Sequence, residues 1–114
     1  MVVDQLSDEQ VDRIFQALAD ATRRDIFQRV ISDAQSVSSL ARSYAMSFAA
    51  VQKHVAVLER ASLVAKERRG REQVVHAQVS TLQQAAALLD AYEQTWIRRV
   101  STIAEILGAK EEGT

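Results

Sequence analysis

The sequence contains no cysteine, no proline and only two histidines among its 114 residues. The absence of cysteine excludes disulfides, thiolate zinc sites, iron–sulfur clusters and thiol-based redox sensing. Two histidines are a poor basis for a zinc or copper site, because those metals favour nitrogen and sulfur ligands. We therefore expect neither a metal nor a cofactor.

Long hydrophobic runs are also missing. No stretch of 18 apolar residues exists, so we expect no helix that spans a membrane. The N-terminal stretch MVVDQLSDEQ is acidic and has no apolar core, so it does not read as a signal peptide. With 47% apolar and 25% charged residues, the composition is that of a globular protein, and the length predicts a single domain over residues 1–114. These features fit a cytoplasmic protein.

The charge is nearly balanced overall but unevenly distributed along the chain. The formal net charge is −1. Residues 42–76 carry seven basic and three acidic side chains, a net of +4, whereas the segments before and after carry −3 and −2. A concentrated basic face on an otherwise acidic protein is the pattern expected of a protein that binds a phosphate backbone. A solvated, arginine-rich surface would give the same count.

Helical periodicity, capping residues and β-branched alternation predict five helices and two strands. We expect helices over residues 8–19, from 21 to about 32, from Ser36 or Val37 to Ala41, over 48–60 and over 80–107, and strands over 63–68 and 73–79 around a turn at Arg69–Glu72. The expected signals are a capping box at Ser7 and Gln10, N-caps at Asp20 and Ser47, a second capping box at Ser80–Gln83, and a stop at Gly108. The predicted fold is mainly α with a small β-hairpin, in the order α-α-α-α-β-β-α.

The third and fourth helices followed by the hairpin have the order of a winged helix–turn–helix. The fourth helix combines an apolar stripe at Val51, Val55 and Leu58 with a polar face suited to a DNA major groove. Gln52 can pair with adenine, and Lys53 can bind guanine edges or a phosphate. Arginines on the hairpin can reach flanking phosphates or a narrow minor groove. The predicted DNA-binding residues are Ser47, Phe48, Ala49, Gln52, Lys53, His54, Arg68, Arg69 and Arg71, with Phe48 placed to touch a thymine methyl.

Four stretches resemble the ArsR/SmtB family of winged-helix repressors. The family's opening helix pair is matched by LADATRRDIFQRV, its helix–turn–helix by LARSYAMSFAAVQKHVAVLERASLV, its wing by AKERRGREQVVHAQV, and the last helix of members without metal-binding cysteines by LLDAYEQTWIRRVSTIAEIL. The resemblance covers about residues 10–107. It implies a homodimeric, bacterial or archaeal repressor of transcription that binds a near-palindromic operator in double-stranded DNA.

The resemblance also implies that the first and last helices pair across a two-fold axis. The residues expected at this dimer interface are Val11, Ile14, Phe15, Leu82, Leu89, Trp96, Val100 and Ile103. The last helix, over 80–107, is about 40 Å long at a rise of 1.5 Å per residue. This length exceeds what a core of this size can cover from one side, and a second subunit would bury the remainder.

The chain departs from the family pattern at positions that bear on backbone rigidity. Alanine stands at Ala21 and Ala49, where proline is common, so both helices still start but from less rigid segments. Ser62 stands where a glycine commonly ends the recognition helix. A positive φ at this position would strain the serine by about 1 kcal/mol.

The metal-sensing residues of the family are missing. Residues 37–40, with the sequence VSSL, occupy the place of the cysteine pair in the third helix, and the last helix offers only Asp90 and Glu93 without a histidine. We therefore expect no metal sensing. The identity of a small-molecule effector stays open: an organic ligand near Tyr92 and Trp96, an oxyanion, or no effector beyond a changing protein level. Core or interface packing is the default interpretation of these two aromatics.

Several residues have a structural interpretation beside the functional one. His54 can contact a base, or it can be half-buried and hydrogen-bonded at the back of its helix. His76 either packs or faces solvent and has no evident partners for a metal. Arg23 can reach a phosphate, or it can flank the start of the second helix.

Two other classes of function compete with DNA binding as interpretations of the sequence. No nucleophile–base arrangement, nucleotide-binding loop or metal–carboxylate motif is present, so we expect no enzyme activity. The alternative function is a winged-helix module that binds a protein. Phe48 favours this alternative, whereas the polar pair Gln52 and Lys53 on the exposed face argues against it.

Overall fold

The computed structural model describes residues 6–112, with side chains up to residue 108. The helices are α1 (Asp8–Leu18), α2 (Ala21–Ser32), α3 (Val37–Ala41), α4 (Phe48–Arg60) and α5 (Val79–Glu112), and the strands are β1 (Gln35–Ser36), β2 (Val64–Arg69) and β3 (Glu72–Ala77). The predicted mainly helical, winged helix–turn–helix class is confirmed. The chain forms two compact units that divide between Gln84 and Ala85. Residues 1–5, part of the stretch that argued against a signal peptide, lie outside the described residues.

Side-chain caps start the first four helices where the sequence predicts them. The Ser7 hydroxyl accepts a hydrogen bond from the Gln10 N–H at 3.1 Å, and the Gln10 side chain accepts one from the Ser7 N–H at 2.8 Å, which completes the capping box of α1. Asp20, Ser36 and Ser47 each accept a hydrogen bond from the backbone N–H three residues further on. Because these caps are local, the helix starts could be read directly from the sequence.

The hairpin of the wing is tighter than predicted. Arg69 pairs with Glu72 across the two strands, so the turn contains only Gly70 and Arg71. Gly70 has a φ of +61°, a conformation that glycine adopts without steric cost and that two-residue hairpin turns require. The two-residue turn therefore places Arg71 at the tip of the wing.

The sheet has a third strand that the sequence did not predict. Strand β1 pairs antiparallel with β3, through Gln35 with Val75 and Ser36 with Val74, so the strand order is β1-β3-β2. Two residues are too few to show an alternating pattern, and β1 forms only because β3 offers an edge. The predicted element order is corrected accordingly, with a strand between α2 and α3.

The core of the first unit combines the apolar faces of α1 to α4 with one face of the sheet. Its largest fully buried side chains are Ile14, Ile26, Leu40, Val51, Val55, Leu58, Leu63, Val64 and Val75. The buried stripe predicted for α4 is therefore confirmed. Ile14 is only 1% exposed, because it packs into the core of its own chain. It has no surface left to offer to a second subunit, and we remove it from the expected dimer interface.

The chain leaves α4 through a strained serine. Ser62 has a φ of +60°, its N–H donates to the Glu59 carbonyl at 2.9 Å, and the Leu63 N–H donates to the Leu58 carbonyl at 3.0 Å. These two bonds form a Schellman motif, which needs a left-handed residue at this position. The strain considered for this position is therefore present, at a cost to serine of about 1 kcal/mol.

Helix α5 is longer at both ends than predicted. It begins at Val79, so Ser80 lies inside the helix and the predicted capping box is wrong. It also runs through Gly108 to Glu112, so the predicted stop is wrong. A glycine inside a helix costs about 1 kcal/mol relative to alanine, which weakens a helix without ending it. Within the described residues, no helix is both long and apolar enough to cross a membrane.

Candidate nucleic-acid interface

Helix α4 presents an exposed face at its N-terminal end. The hydroxyl of Ser47 accepts a hydrogen bond from the Ala50 N–H at 3.1 Å and fixes the first turn. The residues exposed there are Ser47, Phe48, Ala49, Gln52 and Lys53, and Phe48 retains 47% of its surface. The opposite face of the helix is buried in the core. Five of the predicted DNA-binding residues therefore share one accessible end of this helix.

An open groove of ≈ 290 Å³ lies between α4 and the wing. Phe48 and Gln52 line it from α4, Arg68 and Arg71 line it from the wing, and Val37, Ser38, Glu72 and Gln73 complete its walls. The structure thus brings four of the predicted residues together around one concavity. A groove with cationic side chains on one wall raises the local concentration of anionic ligands, because the low-dielectric walls focus the field.

Alternation along β2 separates the wing arginines. Arg68 lies on the same face as the buried Val64, whereas Glu67 and Arg69 lie on the other face. The Nε of Arg69 donates a hydrogen bond to Glu67 Oε1 at 2.5 Å, and this bond lowers the pKa of Glu67. The sequence predicts that Arg69 binds DNA together with Arg68 and Arg71. In the structure, however, Arg69 is paired with an acid on the side of the wing away from the groove.

An ion pair links the wing to the recognition helix. The Nζ of Lys66 lies 3.3 Å from Oε1 of Glu59, and the Lys66 side chain is 26% exposed. The pair connects the strand that carries Arg68 to the last turn of α4. A partly exposed pair of this kind contributes little stability, but it restrains the spacing between the two walls of the groove.

His54 faces the body of the first unit rather than the groove. Its Nδ1 lies 3.4 Å from Nη1 of Arg23 and must act as the acceptor, because arginine only donates. Arg23 also donates through Nε to the Ala17 carbonyl at 2.8 Å and through Nη2 to the Gln16 carbonyl at 3.0 Å, which caps the C-terminal end of α1. His54 is therefore removed from the predicted DNA-binding residues. Its contact with Arg23 instead links α4 to α2 and, through the bonds of Arg23, to the end of α1.

A cluster that the sequence did not reveal holds the turn before α4. The Tyr44 hydroxyl and the Arg29 Nε, the latter at 2.9 Å, both donate to Asp25 Oδ2, and the Arg29 guanidinium lies 5.4 Å from the centre of the Tyr44 ring. Burial and the bond to Asp25 raise the pKa of Tyr44 to about 12. The bonds from Tyr44 and Arg29 lower the pKa of Asp25. The spacing of Asp25 and Arg29 on α2 signals an ion pair, but nothing in the sequence points to Tyr44.

The remaining histidine lies beside one carboxylate. His76 on β3 is half-buried, and its Nε2 lies 3.8 Å from Glu67 Oε1 without a hydrogen bond. In the part of the chain that the structure describes, no three His, Asp or Glu side chains are grouped so as to hold a metal ion. The arrangement around the groove instead offers hydrogen-bond donors, cations and one aromatic ring.

Helix α5 exposes an apolar stripe. Leu89, Trp96, Val100 and Ile103 retain between 42% and 63% of their surface, and their spacings of seven, four and three residues place them on one side of the helix. Among the other residues expected at the interface, Phe15 is 38% exposed, and Val11 and Leu82 are half-buried. Contiguous exposed apolar side chains mark surfaces that bind another protein.

The chain is similar to known transcriptional regulators. Residues 18–67 match the family described as a helix-turn-helix domain. The chain is 34% identical over 103 residues to the HTH-type transcriptional regulator Rv2034 of Mycobacterium tuberculosis. The aligned region covers 90% of this chain and 94% of that protein. It is 33% identical to the structure of an ArsR-like transcriptional regulator from Rhodococcus sp. RHA1, with a TM-score of 0.76 over 86% of this chain and 92% of the other. A homodimeric winged helix-turn-helix DNA-binding domain from Mycobacterium bovis shares the fold at 21% identity, with a TM-score of 0.62 over 79% and 90% of the two chains.

Proposed function

Because the chain belongs to the ArsR family of winged helix-turn-helix, DNA-binding transcriptional regulators, we propose that it is a repressor that binds a near-palindromic operator as a homodimer in the cytoplasm. Repression requires only that a protein occupy promoter DNA. A DNA-reading surface and a dimerisation surface are sufficient for that task.

The observation that carries the proposal is the groove shared by α4 and the wing. Phe48 and Gln52 stand on the wall formed by the recognition helix, where side chains of a helix–turn–helix reach base edges in the major groove. Arg68 and Arg71 stand on the opposite wall, where they bind the phosphates beside the major groove. Lys53 is exposed next to Gln52 and supplies a further phosphate or guanine contact.

Dimerisation is supported by the apolar stripe of α5. In the proposed dimer, Leu89, Trp96, Val100 and Ile103 pack against the second subunit, together with Val11 and Phe15 of α1 and with Leu82. The homodimeric relative from Mycobacterium bovis shares the fold and supports this reading. Two recognition helices related by a two-fold axis then meet half-sites about one helical turn, or ~34 Å, apart.

The proposal is tested by measuring binding to the protein's own promoter DNA by fluorescence anisotropy over a series of salt concentrations. Each lost phosphate contact lowers the slope of log affinity against log salt by about 0.9, so the double variant Arg68→Ala/Arg71→Ala is expected to lose about 3 to 4 units of slope per dimer. Its affinity is expected to fall at least about tenfold at 0.15 M salt. A reporter driven by the same promoter is expected to rise when the protein is deleted.

Arg69→Ala is the matched control, because it removes the same charge from the same wing on the face away from the groove. We expect it to change affinity and salt slope much less than the double variant does. A double variant with the affinity and salt slope of the wild type would rule out the groove as the path of the DNA. A reporter that falls on deletion would rule out repression.

A further inference from the structure

A second pocket, away from the DNA-facing groove, opens between α1, the end of α4 and the first turns of α5. It has a volume of ≈ 200 Å³. Arg13 of α1 and Arg60, the last residue of α4, both line it, and the hydroxyl residues Ser62 and Thr81 contribute to its wall. Its remaining lining residues are Leu6, Gln10, Ile14, Ala61 and Gln84, so the lining contains no carboxylate from the part of the chain that the structure describes.

The two guanidinium groups are available to a ligand. Across the residues that the structure describes, the Arg60 side chain makes no hydrogen bond and no ion pair. Among the same residues, the Arg13 side chain forms a hydrogen bond and ion pair only with Glu9, at 3.4 Å, and the Glu9 side chain is 81% exposed. Such an exposed pair is weak, because water competes for both partners. Arg13 and Arg60 also line a neighbouring cavity with Gln16 and Val57, so the two arginines stand together over a continuous surface.

We propose that this pocket binds a small organic anion, whose carboxylate or phosphate group lies between Arg13 and Arg60. The guanidinium fork matches both groups, because each presents two oxygens to its parallel N–H donors. Ser62 and Thr81 supply hydroxyl groups for further polar atoms of the ligand. A water occupies about 30 Å³ in the liquid, so the pocket holds a molecule of about ten non-hydrogen atoms or fewer.

The position of the pocket makes the anion an effector of DNA binding, a consequence that rests on the proposed function. One arginine ends the recognition helix, and the other lies on α1, beside the residues proposed for the dimer interface. An anion that bridges them restrains α4 relative to α1 and so favours one arrangement of the recognition helix. Coupling between two sites is reciprocal, so operator DNA must change the affinity for the anion by the same factor.

The binding claim is tested without DNA, by titrating the isotope-labelled protein with succinate, malate or inorganic phosphate at constant ionic strength and recording amide and guanidinium resonances. Succinamide serves as the uncharged probe. We expect saturable shifts at Arg13, Arg60 and Thr81 with at least one of the three anions and none with succinamide. The anion whose shifts saturate at the lowest concentration shows whether the pocket prefers a carboxylate or a phosphate.

Arg13→Gln and Arg60→Gln are each expected to weaken this binding about tenfold or more, because each removes one charge-assisted contact. Arg99→Gln removes an exposed arginine elsewhere and is expected to leave binding unchanged. The dispersion of the amide spectrum checks that each variant is folded. Absence of saturable shifts at 10 mM of every anion overturns the proposal. Wild-type affinity in both pocket variants also overturns it.

The effector claim is tested by repeating the operator titration with the saturating anion present. We expect operator affinity to change by about fivefold or more in the wild-type protein and not in Arg60→Gln. Anion binding with unchanged operator affinity overturns the effector role. Loss of dimerisation in both pocket variants, without anion binding in the wild type, assigns the arginines to the dimer interface and overturns the site.

Discussion

Phe48 is the residue of the groove that can read a base without a hydrogen bond. It is the first residue of α4, it is 47% exposed, and Gln52 follows it one helical turn later in the same groove. In the major groove, the methyl group of thymine is the apolar group that a side chain can contact. Adenine presents one donor and one acceptor, which an amide side chain can match. Phe48 and Gln52 together therefore favour a half-site that contains A·T pairs.

Replacing single thymines of the operator with deoxyuridine removes one methyl at a time and tests this reading. We expect the wild-type protein to lose about fourfold in affinity at one thymine per half-site, because burying one methyl-sized group contributes about 0.8 kcal/mol. Phe48→Ala is expected to bind the thymine and uracil operators equally well. Gln52→Ala is the control variant and is expected to remain sensitive to the methyl. If the ratio of the affinities for the thymine and uracil operators is the same in Phe48→Ala as in the wild type, the ring does not contact the thymine methyl.

The site residues that the sequence placed well are those whose surroundings are local. Ser47 caps α4 through a bond to a backbone group three residues away, so its role could be read from the sequence. The roles of Ile14, His54 and Arg69 depend on neighbours that the chain supplies only after folding. Helical periodicity shows that Ile14 is apolar and on a stripe, but it does not say whether the stripe meets a core or a second subunit.

The turn between α3 and α4 shows how one element positions another. Asp25 and Arg29 project from α2, and Tyr44 reaches back to them from the turn that leads into α4. The first turn of the recognition helix is thus anchored on both sides, by its own Ser47 cap and by α2. Long-range side-chain bonds of this kind leave no periodic signal, which is why the sequence predicts the helices but not the bond that sets the angle between them.

The stability that this cluster contributes depends on pH in two windows. Folding raises the pKa of Tyr44 from the usual 10 to about 12, so its contribution is complete below about pH 10 and is lost as the pH rises towards 12. Folding lowers the pKa of Asp25, so its contribution is present above about pH 4 and is lost as the pH falls through the folded value. Tyr44→Phe is therefore expected to lower the free energy of unfolding by about 1 kcal/mol near pH 7.

Urea unfolding followed by circular dichroism checks this at pH 7, pH 3 and pH 11. The difference in the free energy of unfolding between wild type and Tyr44→Phe should be largest at pH 7 and should be smaller at pH 3 and at pH 11. Tyr92→Phe is the control, because the Tyr92 side chain on α5 is 63% exposed and is not one of the three side chains that form this cluster. A Tyr44→Phe difference that stays constant from pH 3 to pH 11 would contradict the assigned bond to Asp25.

Charge and apolar surface are segregated along the entire chain. The net charge of +4 lies in residues 42–76, which hold the recognition helix and the wing, and the flanking segments are acidic. Most of the large exposed apolar side chains in the described residues lie instead on α5. One part of the sequence is thus suited to phosphates and another to a second copy of the chain, and the acidic remainder weakens binding to non-specific DNA.

This segregation predicts that dimerisation and DNA contact can be separated by mutation. Val100→Glu/Ile103→Glu places four carboxylates in the proposed two-fold interface, and we expect it to raise the dimer dissociation constant at least a hundredfold, since burial of each apolar side chain contributes about 1.5–3 kcal/mol. Arg98→Glu, on the opposite side of α5, is the control and should leave the constant within about threefold of wild type. Sedimentation equilibrium measures both.

The same variant links the dimer to the geometry of the operator. A monomer loses the gain in effective concentration that two joined half-site contacts provide, so the double variant is expected to bind a full operator no more tightly than an isolated half-site. For the wild-type protein, inserting about five base pairs between the half-sites rotates one by half a turn and is expected to weaken binding to that same level. A wild-type dimer that tolerates the insertion would show that its two recognition helices do not engage the DNA together.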